Sequence, residues 1–134
     1  FNCVGIGERR ARAALPVSSG GISLALSHVV PDLVQKLAKG QDPLRLLGDG
    51  RQRRHYTYAG DLARGIRLAC ESEAAIDQDF NLSTPHGHTV VDVAEAIWRR
   101  LRPGEALRVA FDPPFEHDVQ RREPCVEKAA RVLG

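Results

Sequence analysis

Gly48-Asp49-Gly50-Arg51-Gln52-Arg53-Arg54-His55-Tyr56-Thr57-Tyr58-Ala59-Gly60-Asp61 is the stretch from which the rest of the chain can be read. A glycine-punctuated turn leads into Arg51, Arg53 and Arg54, and these into an alternating aromatic strand. Such an element can hold guanidinium groups at the rim of a cleft while the strand anchors them from below. Arginine's planar fork matches phosphate oxygens two at a time. One reading is therefore a binding element for a phosphorylated ligand. The other is a basic hairpin in solvent, and this stretch alone supports both.

Composition narrows the class. At 134 residues the chain is one domain's worth, long enough to bury about two-thirds of its unfolded surface. A hydrophobic share of 43% and a charged share of 27% suit a globular domain. A net charge of +2 argues against a dedicated nucleic-acid binder, yet Arg51, Arg53, Arg54 and again Arg121, Arg122 can focus a local field on a small anion. Cys3, Cys70 and Cys125 lack any Cys-x-x-Cys or metal spacing. No metal site is expected; Cys3 and Cys70 read as small buried hydrophobes in a reducing, cytoplasmic compartment. No apolar run approaches the roughly eighteen residues that span a bilayer, and no signal peptide is visible. The chain opens on Phe1 and contains no methionine, so it reads as a piece of a longer polypeptide.

Periodicity yields an α/β pattern. Residues 8–27 read as a mobile loop rich in Arg, Ser and Gly. Pro31 opens a helix with Leu33, Val34, Leu37 and Ala38 as its apolar face, ended by Gly40. Leu44 to Leu47 and His55 to Tyr58 read as strands. Asp61 begins a helix carrying Leu62, Ile66 and Ala69, and Asp79 to Leu82 reads as a strand. Thr89 caps the next helix with Asp92 answering back. Val90, Val93, Ala94, Ile97 and Leu101 form its buried stripe, Trp98 packs beside it, and Glu95 and Arg99 pair on the wet side. Leu107 to Phe111 is a strand broken by Pro113-Pro114, and Glu127 to Leu133 a last helix. The strand at Phe1 to Val4 and the helices beside it are expected to expose apolar surface.

Several motifs, in order, resemble one family. Gly-Asp-Gly-x-Gln-x-Arg-x-Tyr-x-Tyr-x-x-Asp at 48–61 is similar to a segment of the extended short-chain dehydrogenases, the NAD-dependent nucleotide-sugar epimerases, dehydratases and decarboxylases. Phe1-Asn2-Cys3-Val4-Gly5-Ile6-Gly7 resembles their Phe-Asn-x-Tyr-Gly-Pro-Gly. Ser27 to Pro31 resembles a helix start, Phe80-Asn81-Leu82-Ser83 resembles Phe-Asn-Ile-Gly, and Asp118 to Gly134 resembles their terminal pattern. The resemblance implies a small mixed α/β substrate-binding domain with short strands, the C-terminal part of an extended Rossmann-fold enzyme. Residues 1–7 would end the Rossmann domain, and 8–27 would be the loop after it.

It also implies the site. Arg54 stands at the position of an arginine that binds the diphosphate of a nucleotide sugar; Arg51 and Arg53 face solvent. Where relatives place an Asp that could orient this arginine, His55 stands here. Of the adjacent Arg121 and Arg122, one can face the pocket, and the resemblance favours Arg121 as the second phosphate arginine, with Asp118 orienting it. Asn2 corresponds to an asparagine near the sugar or phosphate. His28 and Val29 lie at the helix start that meets the nucleotide. Leu47 packs against the nucleobase, or is simply core. Tyr56 can reach the nucleotide or pack inside, and Asn81 can touch the pocket or hold a turn. Phe1 would lie beside NAD.

The chain lacks the Gly-x-x-Gly-x-x-Gly that brings backbone against a cofactor pyrophosphate. It also lacks Tyr-x-x-x-Lys: Gly60 follows Tyr56 by four and Leu62 follows Tyr58 by four. No residue here is expected to be catalytic, and this chain alone is expected to be inactive. The implied function is nucleotide-sugar binding within a longer NAD-dependent enzyme, a homodimer by resemblance, with the Rossmann domain as partner. The alternative is a non-catalytic nucleotide-binding or assembly domain.

Overall fold

The computed structural model describes residues 2–5, 16–19, 22–25 and 28–134. In chain order the elements are β1 (Asn2–Val4), β2 (Pro16–Ser19), β3 (Ile22–Ala25), α1 (Val29–Ala38), β4 (Leu44–Leu47), β5 (Arg53–Arg54), β6 (Tyr56–Tyr58), α2 (Ala59–Glu71), a 3-10 turn (Glu73–Ala75), β7 (His88–Thr89), α3 (Val90–Leu101), β8 (Val109–Asp112) and α4 (Glu127–Leu133). Among the described residues the strands pair two by two. β1 runs parallel to β6 and β4 parallel to β8, while β2–β3 and β5–β7 are antiparallel.

The core lies where α1 and α3 cover the β4–β8 pair. Leu33 and Leu37 from α1, Leu44 and Leu46 from β4, and Ala94 and Trp98 from α3 form one buried cluster. Leu44 and Leu46 point inward while Arg45 between them is exposed, as strand alternation requires. The α1 stripe is rotated from the expected face: Val34 is 42% exposed, Ala38 is exposed, and Lys36 is buried instead. The reason is electrostatic. Lys36 Nζ donates to the Arg45 carbonyl at 3.1 Å and lies 3.0 Å from Asp32, so its ammonium is partnered at the strand edge and only its aliphatic stem is packed.

The glycine turn after β4 is sterically demanded. Gly50 has φ +70°, and a Cβ there would lie 2.6 Å from Val91 Cγ2. α3 begins with a reciprocal cap: Asp92 N–H donates to Thr89 Oγ1 at 3.0 Å and Thr89 N–H to Asp92 Oδ2 at 2.8 Å. Trp98 is the aromatic of the core, and its indole N–H donates to the Glu105 carbonyl at 2.9 Å. Leu101 is exposed rather than in the stripe, and among the ion pairs of the described residues none joins Glu95 to Arg99.

Four expectations are corrected. Part of the 8–27 loop is the β2–β3 pair; Gly20-Gly21 between the two runs is a hairpin signal in sequence. Residues 79–82 form no strand. Their neighbourhood is held by side chains: Thr57 Oγ1 lies 3.0 Å from Ser83 Oγ and accepts from Thr84 N–H at 3.1 Å, and Leu82 lies under Gly65 of α2. α2 starts at Ala59, directly after β6 and ahead of Asp61. Cys70 is exposed, because it falls off the half-buried stripe of Leu62, Gly65, Leu68 and Ala69. The apolar surface expected beside β1 is present, with Tyr58 57% and Ile66 51% exposed.

Leu33→Ala is expected to cost about 2–5 kcal/mol in urea unfolding, as a fully buried leucine does, and Thr89→Ala about 1 kcal/mol. The Thr89 backbone bond first, and then its side chain, hold the Asp92 carboxyl below the usual range. That contribution is present above about pH 4 and is lost as pH falls through the folded value. Asp92→Asn should therefore flatten the acid limb of the stability profile; an unchanged limb would show that the cap does not titrate.

Candidate functional site

Arg54 is the pivot of the site. Its side chain is only 15% exposed. Nη1 donates to the carbonyls of Arg53 at 2.8 Å and Gln120 at 3.3 Å, Nη2 donates to the carbonyl of Val119, and the Asp118 carboxylate lies 3.7 Å away. Backbone bonds run alongside: Arg53 N–H donates to Gln120 O at 2.8 Å and Arg122 N–H to Arg53 O at 3.3 Å. The C-terminal segment is thereby stitched to β5. Gln52, itself buried, donates from Nε2 to Leu47 O at 3.1 Å and to Asp118 Oδ2 at 2.7 Å. Asp118 therefore orients Arg54 and Gln52, and not Arg121 as expected.

Beside Arg54 opens a cavity of about 160 Å³. Val29 at the start of α1, Leu47 at the end of β4 and Arg54 on β5 all line it, together with Gln52, Phe115 and Asp118. Three of the residues singled out in the sequence thus converge from three separate segments. The lining is apolar at Val29, Leu33, Leu46 and Leu47 and charged at the Arg54–Asp118 and Lys36–Asp32 pairs, a combination that suits a ligand with a flat apolar part and a polar tail.

The other candidates lie elsewhere. Arg121 is 73% exposed and donates to Glu123 at 2.8 Å, an ion pair that also reaches Arg53 and is worth about 0–1 kcal/mol. The neighbouring Arg122 instead lines a second cavity of about 220 Å³, with Cys3, His55, Thr57, Asn81 and Ser83. Asn81 Nδ2 donates to the Cys125 carbonyl at 3.1 Å, so it secures the C-terminal segment as well as lining this cavity. Tyr56 is half-buried and lines neither cavity; burial pushes its hydroxyl pKa up, partly offset by Arg54. His28 is exposed at the cap of α1, without a side-chain cap bond. Asn2 pairs with Tyr56 in the β1–β6 register, while its side chain and all of Phe1 lie outside the described residues.

His55 resolves the departure from the expected Asp. A carbonyl can only accept, so Nδ1 carries a proton toward Thr84 O at 2.8 Å. Nε2 faces Gly87, where a Cβ would lie 2.9 Å away. His55 thus sets the 84–87 turn, and the orienting carboxylate for Arg54 comes from Asp118. Gln52, Phe115 and Asp118 were missed as cavity residues because only the folded C-terminal segment brings them to Leu47; the Gln of the quoted motif and Asp118 as an arginine-orienting carboxylate were the visible hints. Among the described residues no group of His, Cys, Asp and Glu could hold a metal ion, and no helix is long and apolar enough to cross a membrane.

A family model described as NAD dependent epimerase/dehydratase matches residues 12–83, more than half of the 134-residue chain. The chain belongs to the NAD-dependent epimerase/dehydratase family. It is 31% identical over 107 residues to UDP-glucuronic acid decarboxylase 4 of Arabidopsis thaliana, covering 80% of this chain and 23% of that protein. The chain therefore spans about a quarter of that relative's length. Among solved structures, the UDP-glucose 4-epimerase of Thermus thermophilus in complex with NAD aligns with TM-score 0.67 and 26% identity, over 97% of this chain and 37% of its own. The epimerase Mth375 of Methanothermobacter thermautotrophicus aligns with TM-score 0.68 and 28% identity, over 78% of this chain and 31% of its own. The fold is that of a small mixed α/β part of the family's Rossmann-fold enzymes.

Charge-assisted bonds such as those of Arg54 contribute roughly 1.5–3 kcal/mol each. Arg54→Ala should release the 118–122 segment, seen as faster hydrogen exchange at the Arg53 and Arg122 amides with α1 and α3 unchanged. Equal protection in the variant would show that the backbone bonds suffice without the guanidinium.

Proposed function

We propose that this chain is the C-terminal, nucleotide-sugar-binding portion of an NAD-dependent epimerase, dehydratase or decarboxylase. The observation that carries the reading is the convergence of Val29, Leu47 and Arg54 on one cavity. Leu47 and Val29 supply apolar walls for the nucleoside, while Arg54 supplies positive charge for the diphosphate. Among the described residues its Nε–H has no acceptor, which leaves that donor available to a phosphate oxygen. Asn2 and Asn81 are assigned to the sugar side, and His28 and Tyr56 to the nucleotide. Arg122 takes the place proposed from sequence for Arg121, since Arg121 is turned to solvent and Glu123.

The residues of this chain do not fit NAD. No glycine-rich phosphate loop is present in the sequence. The half-buried Tyr56 has its pKa raised, opposite to what a tyrosine acting as a base requires. Cofactor and proton transfer are assigned to polypeptide outside these residues, where Phe1 would approach the cofactor. This chain by itself is proposed to be inactive, and the whole enzyme to be a homodimer. Its free cysteines fit a reducing, cytoplasmic setting.

A second reading, a non-catalytic binding or assembly domain, is favoured by one observation. The Nη groups of Arg54 are already engaged by carbonyls of the same chain. The two readings part in the polypeptide that carries this chain. There, Arg54→Ala is expected to weaken binding of a nucleoside-diphosphate sugar by tenfold or more while leaving NAD binding unchanged, measured by titration calorimetry. Equal loss of both ligands would contradict the assignment, and absence of NAD binding in the unaltered protein would favour the second reading.

A further inference from the structure

Phe115 is an exposed aromatic that packing does not explain. It is 54% exposed, yet it lines the cavity of Leu47 and Arg54. The loop that carries it, residues 113–117, is pinned at both ends. At one end Gly48 N–H donates to Asp112 O at 2.9 Å, and Pro114 lies against Gly48, where a Cβ would meet it at 3.5 Å. At the other end Asp118 accepts from Gln52 at 2.7 Å, and the next two carbonyls accept from Arg54. A loop fixed in this way holds its phenyl ring at the cavity's mouth rather than letting it fold into the core. Keeping so much apolar ring in water is unfavourable, and a ligand with a flat face removes that exposure.

We infer that Phe115 is a base-stacking residue: its ring covers one face of the nucleobase while Leu47 lies beneath the other. This rests on the nucleotide-sugar reading and adds to it a residue that selects for an aromatic ring system over a bare phosphate or an aliphatic chain. Aromatic rings prefer offset or edge-to-face contact, and a base–aromatic contact is commonly worth a factor of about ten in affinity or more. The apolar wall alone would accept any greasy group. The combination of exposed ring, apolar floor and Arg54–Asp118 rim matches a base joined to a charged tail.

The experiment titrates the chain with UDP, with uridine and with inorganic pyrophosphate, using the unaltered protein, Phe115→Ala, Phe115→Leu and Phe115→Tyr. Because Phe115 lies at the surface, these variants are expected to keep the fold, checked by the Trp98 emission. Phe115→Ala should weaken UDP and uridine about tenfold and leave pyrophosphate unchanged, and Phe115→Tyr should restore binding. The uracil ring-proton resonances should move upfield with the unaltered chain and not with Phe115→Leu. If Phe115→Ala binds UDP as well as the parent while Arg54→Ala binds it more weakly, stacking is overturned and the nucleotide-sugar reading survives. If the unaltered chain binds none of the three ligands, both are overturned.

Discussion

The site depends on one guanidinium that serves several carbonyls at once. Arg54 gathers the oxygens of Arg53, Val119 and Gln120, with the Asp118 carboxylate close by. These groups come from segments some 65 residues apart in sequence. A planar fork with five donors can do this, whereas an ammonium on a flexible stem offers a single point charge. The consequence reaches beyond the arginine. With the 118–122 segment held, Asp118 can receive Gln52, and Phe115 lines the same cavity as Leu47. The side chain that ties these segments together also lines the cavity, its charge largely enclosed rather than displayed.

Several of the remaining charges are paired within the chain. Arg45 is paired with Asp112, Arg108 with Asp42 at 2.5 Å, Arg121 and Arg53 with Glu123, and Lys36 with Asp32. Exposed pairs of this kind add little stability.

Much of the fold was legible because local rules acted without competition. The Thr89–Asp92 cap, the strand at 44–47 and the helix at 127–133 appear where spacing and capping residues place them. The departures share a cause, which is tertiary satisfaction of groups that local pattern treats as free. Lys36 has the sequence position of a wet last-turn cation, and the Arg45 carbonyl makes it buried. Residues 79–82 alternate like a strand, yet none forms there; beside them Thr57 ties the chain through its hydroxyl to Ser83 and Thr84. For the site, Val29, Leu47 and Arg54 are legible because each sits in a motif. Phe115 is not, and Asp118 was legible only as an arginine-orienting carboxylate with the wrong partner, since a contact between residues near 50 and near 118 has no signature in either stretch by itself. The choice between Arg121 and Arg122 turns on which side of the Arg53 bridge each falls, a matter of register that adjacency in sequence cannot reveal.

The most direct measurement is a map of backbone amide shifts in the 15N-labelled chain as UDP-glucose is added. The account predicts saturable shifts concentrated at Val29, Leu47, Arg54 and residues 113–118, with α4 quiet. Shifts confined to the cavity of Cys3, Asn81 and Arg122, with Leu47 and Arg54 unmoved, would contradict it.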